Sequence, residues 1–405
     1  MKYTGSRVKY NAELQRFMLG EMLFDFRGLY AFLRQLSDSR DPRGVRYQLA
    51  DMLILVILAK LSGEDGPHGM AEWLKHRTEK LVATLGLPRA SMPHRVTISR
   101  MLGEIVDIEE LEKLLVAYFD HQAQSSQEVV VAIDGKTLRG TIDLSQNSRE
   151  HLLAAYLPGE GLVLMQMSVG DKENEIVVAP ELVQVIDLRG KILVGDAIHT
   201  QRKLSVEVVR NHGHYIWTAK GNQMQVMETI THLFEPEPVT PGFAPTPTDF
   251  KSATSVNKGH GRIEKRTITV SSMLRDYLDW QYVEQVFKLE RQFIYVKTGK
   301  VSTQISYGLT SLPADQASPR QLLSYLRSYW GIENGLHYRR DVTFKEDSCR
   351  LTIGHAARTM ATLNNLALAL ILRQGYNNVP SARRRFNAYP LEALNLLLCQ
   401  PDFRL

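Results

Sequence analysis

Two apolar runs that each end at an aspartate constrain the fold of this 405-residue chain most strongly. Glu128–Ile133 (EVVVAI) leads directly into Asp134, and Lys191–Val194 (KILV) leads through Gly195 into Asp196. Continuous runs of this kind, rich in β-branched residues, are typical of strands buried on both faces. Both aspartates are therefore expected at the carboxyl ends of buried strands.

Further strand and helix patterns surround these two runs. Strands are predicted at His151–Leu157, Gly161–Val169 and His214–Ala219, and helices at Glu175–Ile186 and Gln201–Asn211. Strands followed by alternating helix and strand indicate a mixed α/β core.

The rest of the chain has sequence patterns that differ from those of this core. A polar, basic stretch at the start predicts a short helix or a loosely held arm, and the stretch after it is all-helical, with Tyr47–Leu61 apolar nearly all round. Beyond the last core strand, a proline-rich loop and alternating runs predict a β-rich insertion. The predicted regions are 1–27 as an arm, 28–124 as a helical domain, 125–373 as the α/β domain with its insertion at about 220–310, and 374–405 as a basic tail.

Composition excludes several classes of protein. The net charge of +5 and pI of about 9.0 permit a nucleic-acid partner without establishing one. Cys349 and Cys399 are too few for a disulfide framework or a zinc cluster, which favours a reducing cytosol. The most apolar segment, Met52–Ala59, is too short to cross a bilayer, and no secretory signal is visible, so a cytoplasmic protein without a membrane partner is expected. No Walker A loop is present, so no ATP requirement is expected.

The two strand-end aspartates are candidates for chemistry. A carboxylate at the end of a buried strand is costly unless it is paired or binds a metal ion. Ligands of α/β sheets bind at the carboxyl ends of strands, and two such side chains converge if their strands are neighbours. The alternatives are structural: Asp134 as a residue that caps a turn, and Asp196 as the N-cap of a helix.

A third carboxylate lies in a helical segment near the C-terminus. Glu333 shares a polar strip with Asn334 and His337, while Leu322, Leu323, Leu326 and Trp330 follow a helical spacing that would pack on a sheet. A charged surface helix is the alternative. Three carboxylates suit phosphodiester chemistry, in which two divalent ions roughly 3.5–4 Å apart activate the nucleophile and stabilise the leaving oxygen. Mg²⁺ prefers such oxygen ligands.

Five strings in order resemble a known family: AIDGKTLRGT, LVGDAIHTQRK, YIWTAKGNQ, GHGRIEKR and YWGIENGLHYRRDVTFKEDSCRL. They resemble the DDE insertion-sequence transposases that include the H-repeat-associated proteins, over about residues 28–373. The resemblance implies a ribonuclease-H-like core with a β-rich insertion, preceded by an all-helical domain. It makes Asp134, Asp196 and Glu333 the ligands of two Mg²⁺ ions (or Mn²⁺), with Asp341 as an alternative or auxiliary ligand.

The sequence departs from the family pattern near Glu333. Tyr329 stands before Trp330, where family members tend to have His. Related transposases carry Tyr, Arg and Lys around the glutamate, and the nearest candidates in this chain are Tyr325, Arg327 and Arg340, the first two with shifted spacing. The supporting positions are therefore less well defined by the resemblance than the three carboxylates.

Basic and polar residues near these motifs are candidates for DNA contacts, because Lys and Arg neutralise the phosphate backbone. For the residues after the strands the alternative is a polar turn, and for those of the insertion it is a solvated hairpin. His94–Leu102 is predicted to be the second helix of a helix-turn-helix, with an ordinary bundle helix as the alternative. Six arginines between Ser348 and Leu391, a stretch without Asp or Glu, also favour DNA. The predicted contacts are Lys136, Arg139, His199, Lys220, Asn222, Gln223, His260, Arg262, Arg266, Arg327, Asn334, His337, Arg340, Arg95 and Arg100.

The function that the resemblance implies is DNA transposition in a nucleoid-associated, cytoplasmic protein: metal-dependent cleavage at transposon ends, followed by transfer of the 3′-hydroxyl into target DNA. A homodimer that bridges the two ends is expected. One alternative is a nuclease with the same core that cuts without joining. The other is a domesticated, non-catalytic DNA-binding protein, against which the intact set of three carboxylates argues.

Overall fold

The computed structural model describes residues 8–11, 16–19, 22–25, 27–120, 129–138, 150–170, 173–235, 247–259 and 261–399. The first strands, β1 (Val8–Asn11), β2 (Arg16–Leu19) and β3 (Met22–Phe24), form a small antiparallel sheet. The described part of the first 27 residues is therefore built of strands, where the sequence predicted a short helix or an arm.

Helices follow this small sheet. They are α1 (Leu29–Leu33), α2 (Leu49–Leu61), α3 (Pro67–Lys75), α4 (Thr78–Leu85), α5 (Arg95–Arg100) and α6 (Ile108–Asp120). Every residue of α2 is buried, including Asp51 and Lys60, as its continuous apolar pattern requires of a central helix. Asp51 accepts a hydrogen bond from the Tyr30 hydroxyl (2.9 Å), and Lys60 donates one to Asn364 (2.6 Å), so both buried polar groups are satisfied.

A nine-stranded sheet forms the centre of the α/β part, in the order β6-β5-β4-β7-β8-β12-β11-β10-β9. β4, β7 and β8 are parallel, and the other neighbouring pairs are antiparallel. The strands are β4 (Val129–Thr137), β5 (His151–Leu157), β6 (Leu162–Val169), β7 (Lys191–Gly195), β8 (His214–Ala219), β9 (Lys251–Gly259), β10 (Arg262–Ser271), β11 (Gln285–Tyr295) and β12 (Val301–Thr310).

The predicted β-rich insertion contains both a helix and strands. α9 (Met224–Phe234), which the sequence did not predict, comes first, and β9–β12 follow as an antiparallel meander. β12 pairs with β8, so the meander continues the central sheet instead of forming a separate one. Two of the alternating runs that predicted this insertion, Gln281–Phe287 and Gln292–Lys297, only partly overlap one strand, because β11 contains the end of the first run and the start of the second.

Further helices cover the sheet and join the N-terminal helices. α10 contacts β4 and β7 as well as β9 and β10, while α11 contacts β6, α2 and α6. The predicted basic tail instead contains α12 and α13, which pack on α2, because their apolar sides complete the same core. The helices are α7 (Glu175–Val185), α8 (Arg202–Arg210), α10 (Pro319–Gly331), α11 (Ala356–Arg373), α12 (Val379–Ala388) and α13 (Pro390–Leu398). Within the described ranges, none of the helices is long and apolar enough to cross a membrane.

Candidate active site

Asp134 and Asp196 lie side by side at one edge of the parallel strands. Ile133 on β4 pairs with Gly195 on β7, so the two aspartates occupy the next position along neighbouring chain segments. Asp196 directly follows β7 as predicted, whereas Asp134 lies within β4, which continues to Thr137 because it also pairs with β5. Neighbouring strands are about 4.7–4.9 Å apart, which brings the two carboxylates into one site. The two apolar runs of the sequence thus form neighbouring strands that place both acids in one site.

Each aspartate has one carboxylate oxygen engaged. Oδ2 of Asp134 lies 3.2 Å from Nε2 of His337. Oδ1 of Asp196 accepts a hydrogen bond from the backbone N–H of Ile198 (2.8 Å) and caps the 3₁₀ turn Ala197–His199. The capping role considered for Asp196 is therefore present and occupies one oxygen, which leaves the other oxygen for a ligand.

Glu333 reaches this edge from a helix that packs across the sheet. α10 starts with a capping box between Ser318 and Gln321, then passes into a π-helical turn, Ile332–His337. Ile332 and Leu336 are buried in this turn, whereas Glu333 is exposed. The turn contacts β4, the strand that carries Asp134.

Tyr329 links the three carboxylates. Burial raises the pKa of Tyr329, and the charges of Asp134, Asp196 and Glu333 raise it further. The charge of Glu175 raises the pKa of the same phenol. Tyr329 is also the residue at which this chain departs from the usual histidine of the family pattern.

A fourth carboxylate, Glu175, lies behind this edge and was not predicted as a site residue. Its Oε1 is 3.0 Å from Nε2 of His151 and its Oε2 is 3.2 Å from Nε2 of His199, a fully buried ring. Burial raises the pKa of Glu175, but the hydrogen bonds and charges of the two histidines outweigh it and hold the pKa at about 2. Glu175 is thus an anion clamped between two imidazoles.

The glycines beside the two aspartates make room for this cluster. A Cβ on Gly135 would lie 2.2 Å from Oε1 of Glu175 and 2.7 Å from Nε2 of His151. A Cβ on Gly195 would lie 3.0 Å from the His199 ring. The Asp-Gly and Gly-Asp pairs are the signal that could have indicated a close approach, but nothing local identifies Glu175 as the group that approaches.

Asp341, the alternative ligand, is engaged elsewhere. Its Oδ1 is 2.6 Å from Nζ of Lys136, a largely buried side chain two residues beyond Asp134 on β4. The pair ties the segment after Glu333 to the strand that carries Asp134. In this arrangement Lys136 faces Asp341 and not solvent.

The donors at this edge suit a hard divalent ion. Asp134 and Asp196 each keep one oxygen without a hydrogen bond within the described ranges, and exposed Glu333 has no ion pair there. Carboxylate oxygens are the ligands that Mg²⁺ and Mn²⁺ prefer. In the part of the chain that the structure describes, no three His, Cys, Asp or Glu side chains converge tightly enough to hold a metal in this conformation. The two aspartates are preformed, and Glu333 would have to turn towards them.

The residues predicted near the strand ends fall into two groups. Lys220 is exposed at the end of β8, beside the Asp196 edge. Asn222 donates to the carbonyl of Ala197 (2.5 Å) and Gln223 to that of Thr200 (3.0 Å), so both brace the loop that follows Asp196. His199 is buried against Glu175, and Arg139 lies outside the described residues.

The DNA contacts predicted in the insertion and near Glu333 meet at one cleft, with the exception of Arg340 and His337. A cleft of about 440 Å³ between β10–β12 and α10 is lined by Arg262, Arg266, Arg327 and Asn334, among others. Arg340 is instead fully buried, with Nε 2.7 Å from Oε2 of Glu346. His260 lies outside the described residues.

The helical part also carries predicted DNA contacts. Arg95 and Arg100 are exposed on α5, and Arg100 pairs with Glu104 (3.2 Å). Arg100 borders a cleft of about 540 Å³ that Arg46 and Arg89 also line.

Three of the six C-terminal arginines are engaged with acids that are distant in sequence. Arg358 pairs with Glu109 and Glu112, Arg373 with Glu160, and Arg383 with Asp65. Arg385 pairs with Glu392. These side chains therefore join the C-terminal helices to other parts of the chain or to each other, while Arg350 and Arg384 remain exposed.

Comparison with known proteins identifies two matching family models. One is described as DDE_Tnp_1-associated and matches residues 30–119, and the other is described as Transposase DDE domain and matches residues 125–370. The chain is 27% identical over 356 residues to YncI of Escherichia coli O157:H7, which is named as a transposase (85% of this chain, 87% of that protein). It is 26% identical over 343 residues to YhhI of Escherichia coli K12, named as an H repeat-associated transposase (83% and 88%). Among solved structures it is similar to a piggyBac transposase synaptic complex with hairpin DNA, at a TM-score of 0.40 and 11% identity over 90% of this chain and 78% of that one.

Proposed function

The chain belongs to the DDE transposase family, and from this premise we propose that it cuts DNA at the ends of an insertion sequence and joins the freed 3′-hydroxyl to target DNA. The observation that carries the proposal is the neighbouring position of Asp134 and Asp196 on the parallel strands β4 and β7, with Glu333 on a turn that contacts β4. We propose further that β4–β8 with the helices α7, α8 and α10 form a ribonuclease-H-like core, and that the helices of residues 28–124 form a DNA-binding domain.

Domains of this family are generally dependent on divalent metal ions. We propose that Asp134, Asp196 and Glu333 hold two Mg²⁺ ions, with Mn²⁺ as a substitute. When bound, such ions lower the pKa of the attacking oxygen and stabilise charge on the leaving oxygen.

The protein's own residues position this chemistry. His337 holds one oxygen of Asp134 and the Ile198 N–H holds one oxygen of Asp196, so each carboxylate presents its other oxygen in a defined direction. Glu175 and its two histidines stiffen the backbone behind both aspartates. Preorganised ligands of this kind spare the enzyme the free-energy cost of ordering them during the reaction.

DNA would approach across the exposed strand-end edge. Lys220 is exposed near Asp196, and the arginines of the cleft line it together with Asn334, the residue after Glu333. Phosphate contacts from such residues position the duplex, whereas sequence must be recognised through base edges, for which Arg95 and Arg100 on α5 are the candidates. A homodimer that processes both ends together is part of this proposal.

A joining assay tests the proposal. The protein is incubated with Mg²⁺, a duplex that carries the terminal repeats flanking its gene, and a target plasmid. Joined products are expected for the wild type and for Asp341→Asn, and their loss is expected for Asp134→Ala, Asp196→Ala and Glu333→Ala with DNA binding retained. Nicks without joining would favour the nuclease alternative, and inactivity of the wild type on every repeat-bearing duplex would contradict the enzymatic reading.

A further inference from the structure

The turn after Asp196 buries its polar side chains and exposes its isoleucine. Ala197, His199 and Thr200 are buried, whereas Ile198 between them is exposed. Ile198 keeps 38% of its surface in contact with solvent, although burial of an isoleucine stabilises a fold and burial of a polar group is costly unless it is hydrogen-bonded. The turn therefore presents an aliphatic side chain to solvent two residues beyond a candidate metal ligand.

A second exposed apolar side chain lies beside this turn. Met224, the first residue of α9, is 57% exposed. It follows Asn222 by two residues, and Asn222 donates a hydrogen bond to the carbonyl of Ala197, the residue before Ile198 (2.5 Å). Lys220, at the start of the same segment, is also exposed. Two apolar side chains and one cation thus form a small surface next to the strand-end edge.

Hydrogen bonds hold the backbone of this surface in place. Gln223 donates to the carbonyl of Thr200 (3.0 Å), and the Thr200 hydroxyl donates to the carbonyl of Thr218 on β8 (2.7 Å). The N–H of Ile198 donates to Asp196 (2.8 Å). The turn is therefore fastened to a central strand and to the start of α9, so its exposed side chain is carried by a rigid backbone. A rigid support is what a side chain needs in order to deform a ligand.

This surface belongs to the face of the sheet that α10 does not cover. On β8, Ile216 shares an apolar cluster with Leu322 of α10. The next residue, Trp217, points to the other face and shares a cluster with Val226 of α9. The arginine-lined cleft lies on the side of α10. A second DNA segment can therefore reach the carboxylates from the side of α9.

We propose that Ile198 and Met224 form an apolar wedge that enters a base step of the target DNA, while Lys220 holds a phosphate beside it. The inference rests on the proposed function, because joining brings an uncut duplex to the same carboxylates as the transposon end. Proteins that kink DNA insert side chains such as Ile and Met between base pairs and partly unstack them. The choice of target would then follow the deformability of its base steps, among which TA and CA/TG kink most easily.

A binding experiment in which no bond is cut or joined tests the wedge separately from the chemistry. The full chain is saturated with a pre-cut end duplex that lacks the 3′-hydroxyl, with Ca²⁺ in place of Mg²⁺. Target duplexes of about 30 bp, the length of a site over which a bend is measurable, carry a fluorophore at each end and are either fully paired or mismatched at one central base pair. Their titration gives the affinity, and energy transfer gives the bend.

The variants separate the apolar contact from the charge. Ile198→Ser and Met224→Ser remove the apolar surface, and Ile198→Leu keeps it. Val185→Ser is the matched control, because Val185 is a 56% exposed aliphatic residue at the C-terminal end of α7. Lys220→Gln removes the charge alone.

The wild type should bend both duplexes and bind the mismatched one more than about 10-fold more tightly, because a mismatch removes part of the cost of unstacking. In Ile198→Ser and Met224→Ser the bend should decrease and the preference should fall to within about 3-fold, since no base step is then parted. Ile198→Leu and Val185→Ser should keep the wild-type preference. Lys220→Gln should lower the slope of log affinity against log salt by about 0.9 and leave the preference unchanged.

Two results would overturn the inference. One is an equal bend and an equal mismatch preference in Ile198→Ser, Met224→Ser and Val185→Ser. The other is an equal loss of affinity for both targets in Ile198→Ser with the bend retained, which would make this surface a contact for duplex backbone. A wild type that bends the target and prefers the mismatch but never joins DNA would remove the proposed function and leave the wedge standing. Conversely, a wild type that joins DNA but binds both targets equally would remove only the wedge.

Discussion

Gly135→Ala tests most directly whether the contacts of Glu175 fix the part of β4 that carries Asp134. The new Cβ would lie 2.2 Å from Oε1 and 2.5 Å from Cδ of Glu175, and 2.7 Å from Nε2 of His151. A flexible side chain would simply move aside. Glu175 is held on both oxygens by His151 and His199, so moving it breaks at least one of these contacts.

The size of the effect follows from those contacts. A hydrogen bond to a charged group contributes about 1.5–3 kcal/mol, and overpacking of a well-packed site costs typically about 1–3 kcal/mol. We therefore expect Gly135→Ala to lower the free energy of unfolding by about 3–5 kcal/mol. DNA cleavage should fall as well, because the displaced backbone carries the neighbouring Asp134.

Urea unfolding followed by fluorescence measures the change, and Gly159→Ala is the matched control. Gly159 lies in the turn between β5 and β6, where a Cβ would meet nothing within 4 Å. Its φ is not in the left-handed region, so we expect a change within about 1 kcal/mol, towards higher stability.

A double-mutant cycle shows whether the collision with Glu175, which His151 and His199 hold in place, causes the loss of stability. Glu175→Ala removes the group that the new methyl would strike, so the combined variant should be more stable than the sum of the two single changes predicts, by about 1–3 kcal/mol. The reasoning is refuted if Gly135→Ala is as stable as Gly159→Ala, or if the cycle is additive.

Three further outcomes follow from the same geometry. Because the pKa of Glu175 is lowered from 4.5 to about 2, its contribution to the free energy of unfolding is complete above pH 4.5 and is lost as the pH falls towards 2. Urea unfolding should therefore show that Glu175→Gln lowers the free energy of unfolding by on the order of 3 kcal/mol at pH 6 and by much less at pH 3. Asp341→Asn should leave cleavage in Mg²⁺ within about 10-fold of the wild type, whereas Glu333→Gln should lose more than about 100-fold in single-turnover assays, a loss comparable to that of one transition-state contact; the reverse order would make Asp341 the third ligand. Arg340→Ala should lower the free energy of unfolding by about 3–5 kcal/mol because it leaves Glu346 buried and unpaired, while exposed Arg189→Ala should change it little; equal stabilities in thermal or urea unfolding would count against this role.

The prediction of a strand end is confirmed for Asp196 but wrong for Asp134, because β4 continues to Thr137 in its pairing with β5. The common position of the two aspartates could still be predicted, since the signal is local. An apolar run, its length and the acid that ends it all lie within a few residues, and parallel strands then place their ends together. The identity of Asp134 and Asp196 as a pair needed only the additional fact that β4 and β7 are neighbours.

Interactions between distant segments could not be predicted in this way. The arginine-rich stretch after Ser348 lacks nearby acids, which favoured DNA contacts, yet Arg358 and Arg383 pair with acids more than 200 residues earlier in the chain. Arg340 follows Glu333 by seven residues, but Arg340 and its partner Glu346 are both buried, so Arg340 is turned away from solvent. The sign of a local charge run therefore does not determine where its side chains point.

The insertion shows the same limit for strands. Alternating runs predicted β structure, but alternation alone does not specify which edge a strand joins. The pairing of β12 with β8 extends the central sheet, and with α10 across it the arginine and tryptophan side chains form one cleft. Trp330 was expected to pack on the sheet with its helical neighbours, and the structure instead leaves it exposed in that cleft.

The central claim, that Asp134, Asp196 and Glu333 hold the metal ions, is tested most directly by counting bound ions. The protein is saturated with a pre-cut end duplex that lacks the 3′-hydroxyl, so that no joining occurs. Free Mn²⁺ is then measured by electron paramagnetic resonance. We expect about two ions per active site in the wild type and in Asp341→Asn, and at least one ion fewer in Asp134→Asn, Asp196→Asn and Glu333→Gln. An unchanged count in those three variants, or a loss confined to Asp341→Asn, would contradict the assignment.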